Sequence, residues 1–363
     1  MEDSFEASFV CRCDFLIFYR RFMLFKESYS VAVIIPCWNC EPYIGQMLEC
    51  LLNQTFYDWK AFLVDDGCTD GTASIIKDYA LKDARVNYIS RNRGPKGAQT
   101  CRNIGFELSK GAKYVVFFDA DDLIAPYCLE QRVSLIENLH DVDFLSFPAK
   151  AFKNKPFDEV RWGFGIKGAQ DTILSLLNWR TLSIVVSTNI YKRDRLAEKE
   201  IVWDENLLSM QDADFNIQAF VKGLTHGFAD GKRIDYFYRQ VDSSVSKQIY
   251  HDEKIKSHLY LINKEISSIR AVFGKKYDFY LKAYIVVFFE FFLNRKYPYR
   301  QLLRMTFVKN NPFFYLRILV YFVVGMRGKK CLFGPYCQYN NEAIRTWSNI
   351  VSKKMEELVL LNS

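Results

Sequence analysis

The segment FFDADDL places Asp119, Asp121 and Asp122 within four residues at the end of an apolar run. Carboxylates crowded this closely repel one another unless a cation sits among them, and hard oxygen ligands with open positions suit Mg²⁺ or Mn²⁺ bridging phosphates. A second acidic pair, Asp65 and Asp66 in FLVDDGCTDGT, could accept hydrogen bonds from a nucleoside's base or ribose. Helix capping by Thr69 or Asp70 is the bland use of the same stretch. A third segment, SMQDADF, offers Asp212 and Asp214, and an acid near a helix start is ordinarily a cap. In VAVIIPCWNC, Cys37 and Cys40 stand at the spacing of a thiol redox pair, which works at a helix opening where the dipole lowers the first thiol's pKa.

Positioning these groups requires strands that end beside one another. The runs VAVII, KAFLV, VNYIS, YVVFF and DFLSF are strand-like in length and in β-branched or aromatic content. Between the first two, Ile44, Met47, Leu48, Leu51 and Leu52 recur on one helical face. TDGTASIIKDYALKD, GAQTCRNIGFELSK and APYCLEQRVSLIENL are further helices, so strand and helix alternate and the chain predicts an α/β fold with a Rossmann-like, mostly parallel sheet covered on both faces. In such sheets ligands bind beyond the carboxyl ends of the strands. The loops there read PCWNCE, DDGCTD, RNRG and DADD, which collects the acids and one basic turn at one edge.

Composition narrows the function class. The 363 residues carry 49 Lys and Arg against 42 Asp and Glu, a formal charge of +7 without a basic stripe interleaved with stacking aromatics, so nucleic acid is not expected as a partner. Ten cysteines in a chain of this length, with charges inside its N-terminal apolar stretch, read as reduced thiols in a cytoplasmic protein rather than a secreted disulfide framework. The last hundred residues are rich in aromatics. LKAYIVVFFEFFLN and NPFFYLRILVYFVVGM are apolar almost all round but interrupted by Glu290 and Arg317, and short of the roughly twenty residues of a bilayer span. Basic residues flanking apolar faces predict peripheral contact with a membrane surface.

The strings from VAVIIPCWNC to FFDADD, together with WDENLLSMQDADF and YRQVDSSVS, resemble the family 2 glycosyltransferases of the GT-A fold over residues 30–247. The resemblance implies a GT-A domain over 30–247, which the apolar and basic patterning flanks with an N-terminal amphipathic extension over 1–29 and a C-terminal helical region over 248–363. It implies an inverting enzyme that takes a nucleoside-diphosphate sugar, with a UDP-sugar favoured, and a glycan or lipid-linked acceptor in surface polysaccharide, lipopolysaccharide or capsule synthesis at the inner face of the cell membrane. Asp66, supported by Asp65, then faces the base, Asp119 the ribose and metal, Asp121 the Mn²⁺ or Mg²⁺ ion, and Asp122 supports the site. Asp212 takes the place of the general base. Pro36 ends the first strand, Trp38 and Asn39 shape the loop beside the nucleoside, and Glu41 opens the next helix. Arg102 lies in the helix after the third strand, as packing or on the diphosphate side. Two positions depart from the family pattern: Gln211 stands where many members carry an acid, and Val241 where many carry His.

Two other classes compete. A nucleotidyltransferase acting on a sugar phosphate would show a glycine-rich basic loop after the first strand, which PCWNCE lacks. A C-x-x-C oxidoreductase would need a thioredoxin-sized unit around Cys37 and Cys40. Zinc is poorly served by Cys11 and Cys13 and four scattered histidines.

Overall fold

A computed structural model describes residues 28–153, 184–229, 233–240, 252–279 and stretches between 281 and 338. The expected extension over 1–29 falls almost wholly outside the described residues, as do Val241 and the segment around Glu290.

The strand-like runs form a parallel core. Strands β1 (Tyr29–Cys37), β2 (Trp59–Asp65), β3 (Val86–Ser90) and β4 (Ala112–Phe117) lie in the order β3-β2-β1-β4, all parallel. Their registers bring Cys37 opposite Asp65, and Asp65 opposite Ser90, so the loops PCWNCE, DDGCTD and RNRG leave the sheet side by side. Val31 through Ile35 are buried, as the near-continuous apolar run of a strand covered on both faces requires.

Helices α1 (Glu41–Leu52), α2 (Thr72–Lys82), α3 (Ala98–Leu108) and α4 (Cys128–Glu137) provide the cover. The apolar stripe read from the sequence is the buried one: Ile44, Met47, Leu48 and Leu51 of α1 face the sheet. Helix α3 lies so close to β1 that a Cβ added at Gly105 would meet Ile34 Cγ2 at 2.5 Å. That approach brings Arg102, one turn earlier, over the ends of β1 and β4.

Beyond β4 the sheet is mixed. Strands β6 (Phe144–Ser146), β8 (Asn189–Lys192) and β9 (His226–Phe228) extend the order to β3-β2-β1-β4-β8-β6-β9, and β8 runs antiparallel to both β4 and β6. An antiparallel strand begins where its neighbour ends. Residues 184–188, ahead of β8, are thereby delivered to the acidic edge. A smaller sheet joins β5 (Leu123–Ile124) and β7 (Ala149–Phe152) across β10 (Tyr236–Arg239), and it backs the DADD loop.

The chain then adds α5 (Arg193–Glu198), α6 (Gln211–Val221), the long α7 (Asp252–Phe273), α8 (Thr306–Lys309) and α9 (Pro312–Val324). Helix α7 shares one apolar core with α6, through Ile262, Ile266 and Ile269 on one side and Phe215 and Ala219 on the other. Among the described residues no helix is long and apolar enough to cross a membrane.

Candidate active site

The first two loops are clasped together. Asn39 takes a left-handed conformation (φ 46°), and its side-chain oxygen accepts the Thr69 N–H at 2.9 Å. Glu41 accepts the Gly71 N–H at 2.7 Å while its own N–H donates to Asp70 at 3.1 Å. Asn39 and Glu41 therefore hold the two loops in shape, and Asp70 helps start α1. Pro36 is half-buried in β1. Trp38 is 54% exposed, with the Lys96 ammonium 4.7 Å from its ring centroid, an open aromatic face beside the loops.

Asp65 and Asp66 differ sharply in use. The Gly67 and Cys68 N–H groups donate to Asp65 Oδ1, and the Tyr88 hydroxyl donates to Oδ2 at 2.7 Å. Burial alone would raise this carboxyl, but these donors outweigh it and hold it below the ordinary range. Asp65 thereby shapes its own loop. Asp66 is buried, pairs with Arg91 at 2.6 Å and accepts the Gly97 N–H at 3.1 Å. Arg91, unnoticed in the sequence beyond a basic turn, is thus the partner that fixes Asp66.

Neither Cys37 nor Cys40 is in a disulfide. Cys37 lies in the core of β1, and burial pushes its thiol well up, the reverse of an activated nucleophile. Replacing both by Ala is expected to leave transfer within about two-fold and to cost roughly 1–2 kcal/mol of stability for the small cavity left. Loss of turnover in a double variant that still folds would favour a redox role.

The DADD loop holds the acids that lack enough donors. Asp122 is buried; the Tyr236 hydroxyl and the Arg239 N–H donate to it, the latter at 2.7 Å. Its carboxyl is nevertheless pushed well up, first by burial and then by Asp121 and Asp119. Asp121 is pushed up to about 6, again by burial first and by Asp119 second. Arg239 donates from Nε to the Asp121 carbonyl at 2.6 Å and from Nη2 to Gln46 at 2.7 Å, which ties the end of β10 to this loop and to α1.

Arg102 links this loop to the start of α6. Its Nη2 donates to Asp119 Oδ1 at 2.5 Å, its Nη1 to Gln211 Oε1 at 3.1 Å, and its guanidinium lies 4.4 Å from the Trp203 ring centroid. Gln211 is itself held, donating to Gln99 at 2.8 Å and to the Leu207 carbonyl at 2.9 Å. The Gln211 amide thus orients Arg102 without adding charge. The guanidinium is enclosed by these partners, so Arg102 acts on the site through Asp119 and Gln211.

Asp212 follows at the first turn of α6, where the helix dipole favours an anion. The Val186 N–H donates to its Oδ2 at 3.3 Å. Its carboxyl is pushed up, first by burial, with Arg102 opposing and Asp119 adding to the rise. Met210, just before it, is in the left-handed region (φ 59°) and turns the chain into the helix. The approach segment is clamped by α7: Lys264 pairs with Asp204 at 2.8 Å and with Asp214 at 2.6 Å, and Ser257 Oγ accepts the Leu208 N–H at 2.9 Å. Asp214, the other acid of SMQDADF, is therefore a structural anchor. Val186 and Lys264 were not legible as site residues, since each reaches this region from another part of the chain, whereas Trp203 stands in the WDENLLSMQDADF string itself.

Among the described residues no three His, Cys, Asp or Glu side chains form a metal cage. The available set is two carboxylates, Asp121 and the Asp119 oxygen not given to Arg102. That set fits Mg²⁺ or Mn²⁺, which are carried by one or two carboxylates and completed by substrate phosphates. The raised carboxyl of Asp121 is the strain a cation would relieve.

Residues 32–198 match the model of glycosyl transferase family 2. The uncharacterized glycosyltransferase EpsJ of Bacillus subtilis (strain 168) is 28% identical over 237 residues, 61% of this chain and 64% of EpsJ. The poly(ribitol-phosphate) beta-N-acetylglucosaminyltransferase TarS of Staphylococcus aureus (strain MW2) is 26% identical over 240 residues, 65% of this chain. The chain spans 40% of the length of TarS and just under two thirds of EpsJ. In fold it is similar to the crystal structure of S. aureus TarS residues 1–349 in complex with UDP-GlcNAc, with a TM-score of 0.60, 19% identity and coverage of 90% of this chain and 92% of that one.

Proposed function

We propose that this protein, whose residues 32–198 match the model of glycosyl transferase family 2, moves a sugar from a nucleoside-diphosphate donor, a UDP-sugar, to a hydroxyl of a glycan or lipid-linked acceptor, with inversion. The setting is surface polysaccharide synthesis at the inner face of the membrane, in keeping with relatives named for teichoic acid and teichuronic acid biosynthesis. The observation that carries the proposal is Arg102, which connects Asp119 on the diphosphate side with the start of the helix that bears Asp212.

Trp38, Asn39 and the Asp66–Arg91 pair border the nucleoside, and Asp119 reaches the ribose. When a divalent cation is bound by Asp121 and Asp119, it supplies positive charge against the diphosphate. The Asp212 carboxylate accepts the proton of the acceptor hydroxyl as that oxygen attacks the anomeric carbon. The bond from that carbon to the diphosphate oxygen breaks on the opposite face, and its electron pair leaves with the diphosphate. Arg102 keeps Asp119 turned toward the donor while Val186 N–H orients the base.

The test is a panel of nucleotide sugars assayed for donor hydrolysis and transfer, with and without EDTA. Turnover of one UDP-sugar that is lost with EDTA and restored by Mn²⁺ or Mg²⁺ is expected. Asp121→Asn should lower that turnover at least about 10²-fold, since it weakens the hold on the cation whose positive charge faces the developing diphosphate. Full activity in EDTA, or no donor turned over at all, would overturn the reading.

A further inference from the structure

The outer face of α9 groups three exposed apolar side chains on one helix. Along this helix Phe314 and Ile318 turn inward, and Phe314 packs edge-on against Phe333 and Tyr336. Phe313, Leu316 and Leu319 turn outward and are 83%, 57% and 37% exposed. On a 3.6-residue helix these three fall on one arc, with Arg317 at its border. Arg304 and Lys309, just ahead of the helix, are also exposed. None of Arg304, Lys309 and Arg317 has an ion pair among the described residues.

The charge of the surrounding sequence is one-sided. Between Glu290 and Glu342 there is no acidic residue, while residues 291–340 contain nine Lys and Arg and thirteen aromatics. A soluble face would intersperse both signs and hide its phenylalanines. A face with large apolar side chains at its centre and cations around them matches one environment, the headgroup boundary of an anionic bilayer. The thirteen residues of α9 span about 20 Å, well short of the ~30 Å hydrocarbon core, so the helix is suited to lie in the surface rather than cross it.

We propose that the α9 face, with Phe313, Leu316 and Leu319 inserted and Arg304, Lys309 and Arg317 on the headgroups, docks the protein on an anionic phospholipid membrane. The proposal rests on the reading above in placing the acceptor at that membrane. Its purpose would be to hold the donor site within reach of a membrane-held acceptor, and the binding itself requires no catalysis.

The experiment is vesicle flotation of the full chain, with phosphatidylcholine vesicles and with phosphatidylcholine–phosphatidylglycerol vesicles, at low and high salt. Flotation with the anionic vesicles only, weakened by salt, is expected. Phe313→Ser with Leu316→Ser should reduce binding about ten-fold or more, and Lys309→Gln with Arg317→Gln by about five-fold for each cation removed. These side chains are exposed and take no part in the site described above, so donor hydrolysis without vesicles should be unchanged and serves as the fold control. Failure to float at low salt, equal binding by the Phe313→Ser, Leu316→Ser variant, or binding to a soluble polyanion in preference to vesicles would each overturn the proposal. Vesicle binding and donor hydrolysis are read separately, so failure of one leaves the other standing.

Discussion

Asp212→Asn is expected to reduce sugar transfer by about 10²–10⁴-fold, the range for removing a positioned general base, while donor affinity stays within about two-fold. The amide keeps the shape of the carboxylate and can still face Val186, so the pocket and the donor contacts are undisturbed. What is lost is the proton acceptor. The same assignment fixes the pH behaviour. Transfer requires the ionised carboxylate, and burial holds the Asp212 carboxyl above its ordinary range. The rate should therefore fall as pH drops through that raised value, and the residual rate of Asp212→Asn should lack this acid limb. Transfer by the variant within ten-fold of wild type, or an unchanged acid limb, would remove Asp212 from the role.

Arg132→Met is expected to destabilise the fold by about 3–5 kcal/mol, the cost of leaving a buried charge without its partner. Arg132 of α4 and Asp235 ahead of β10 are both fully buried and paired through two bonds, Nη2 to Oδ1 at 2.8 Å and Nε to Oδ2 at 3.0 Å. Nη1 donates further to the carbonyls of Ser187 and Asn189, at 3.1 and 3.3 Å, and the guanidinium lies between the rings of Phe118 and Phe147. This one side chain ties α4, the small sheet and the lead-in to β8 together beneath the acidic edge. Removing it strands Asp235 in the core. Arg132→Met combined with Asp235→Leu should recover much of the loss, because it is the unpaired charge and not the missing pair that is costly. Urea unfolding of the three proteins measures this. A single-variant loss under about 1 kcal/mol, or a double variant no better than the single, would contradict the assignment.

Much of this was legible in the chain because it is local. Short apolar runs rich in β-branched and aromatic residues specified β1 to β4, since a strand covered on both faces must be apolar throughout, and the 3.6-residue period marked the buried face of α1. The alternation of those elements implied a parallel sheet, and a parallel sheet puts its carboxyl ends at one edge, which is why DDGCTD and DADD could be read as one site before any coordinates. The C-x-x-C pair was ambiguous in sequence, and the fold places Cys37 in the core of β1.

Tertiary structure alone decided which groups are partners. Arg102 and Gln211 are 109 residues apart, Arg132 and Asp235 are 103, and Lys264 reaches Asp214 from a helix that carries no local sign of it. No periodicity encodes such pairs. They follow from the antiparallel β8, the close approach of α3 at Gly105 and the docking of α7. Asp212 and Asp214 make the division plain. In sequence they are two acids of one short segment; in the fold one faces Arg102 and Val186 while the other is neutralised by a lysine, because successive helical positions point in different directions and only packing determines what lies there.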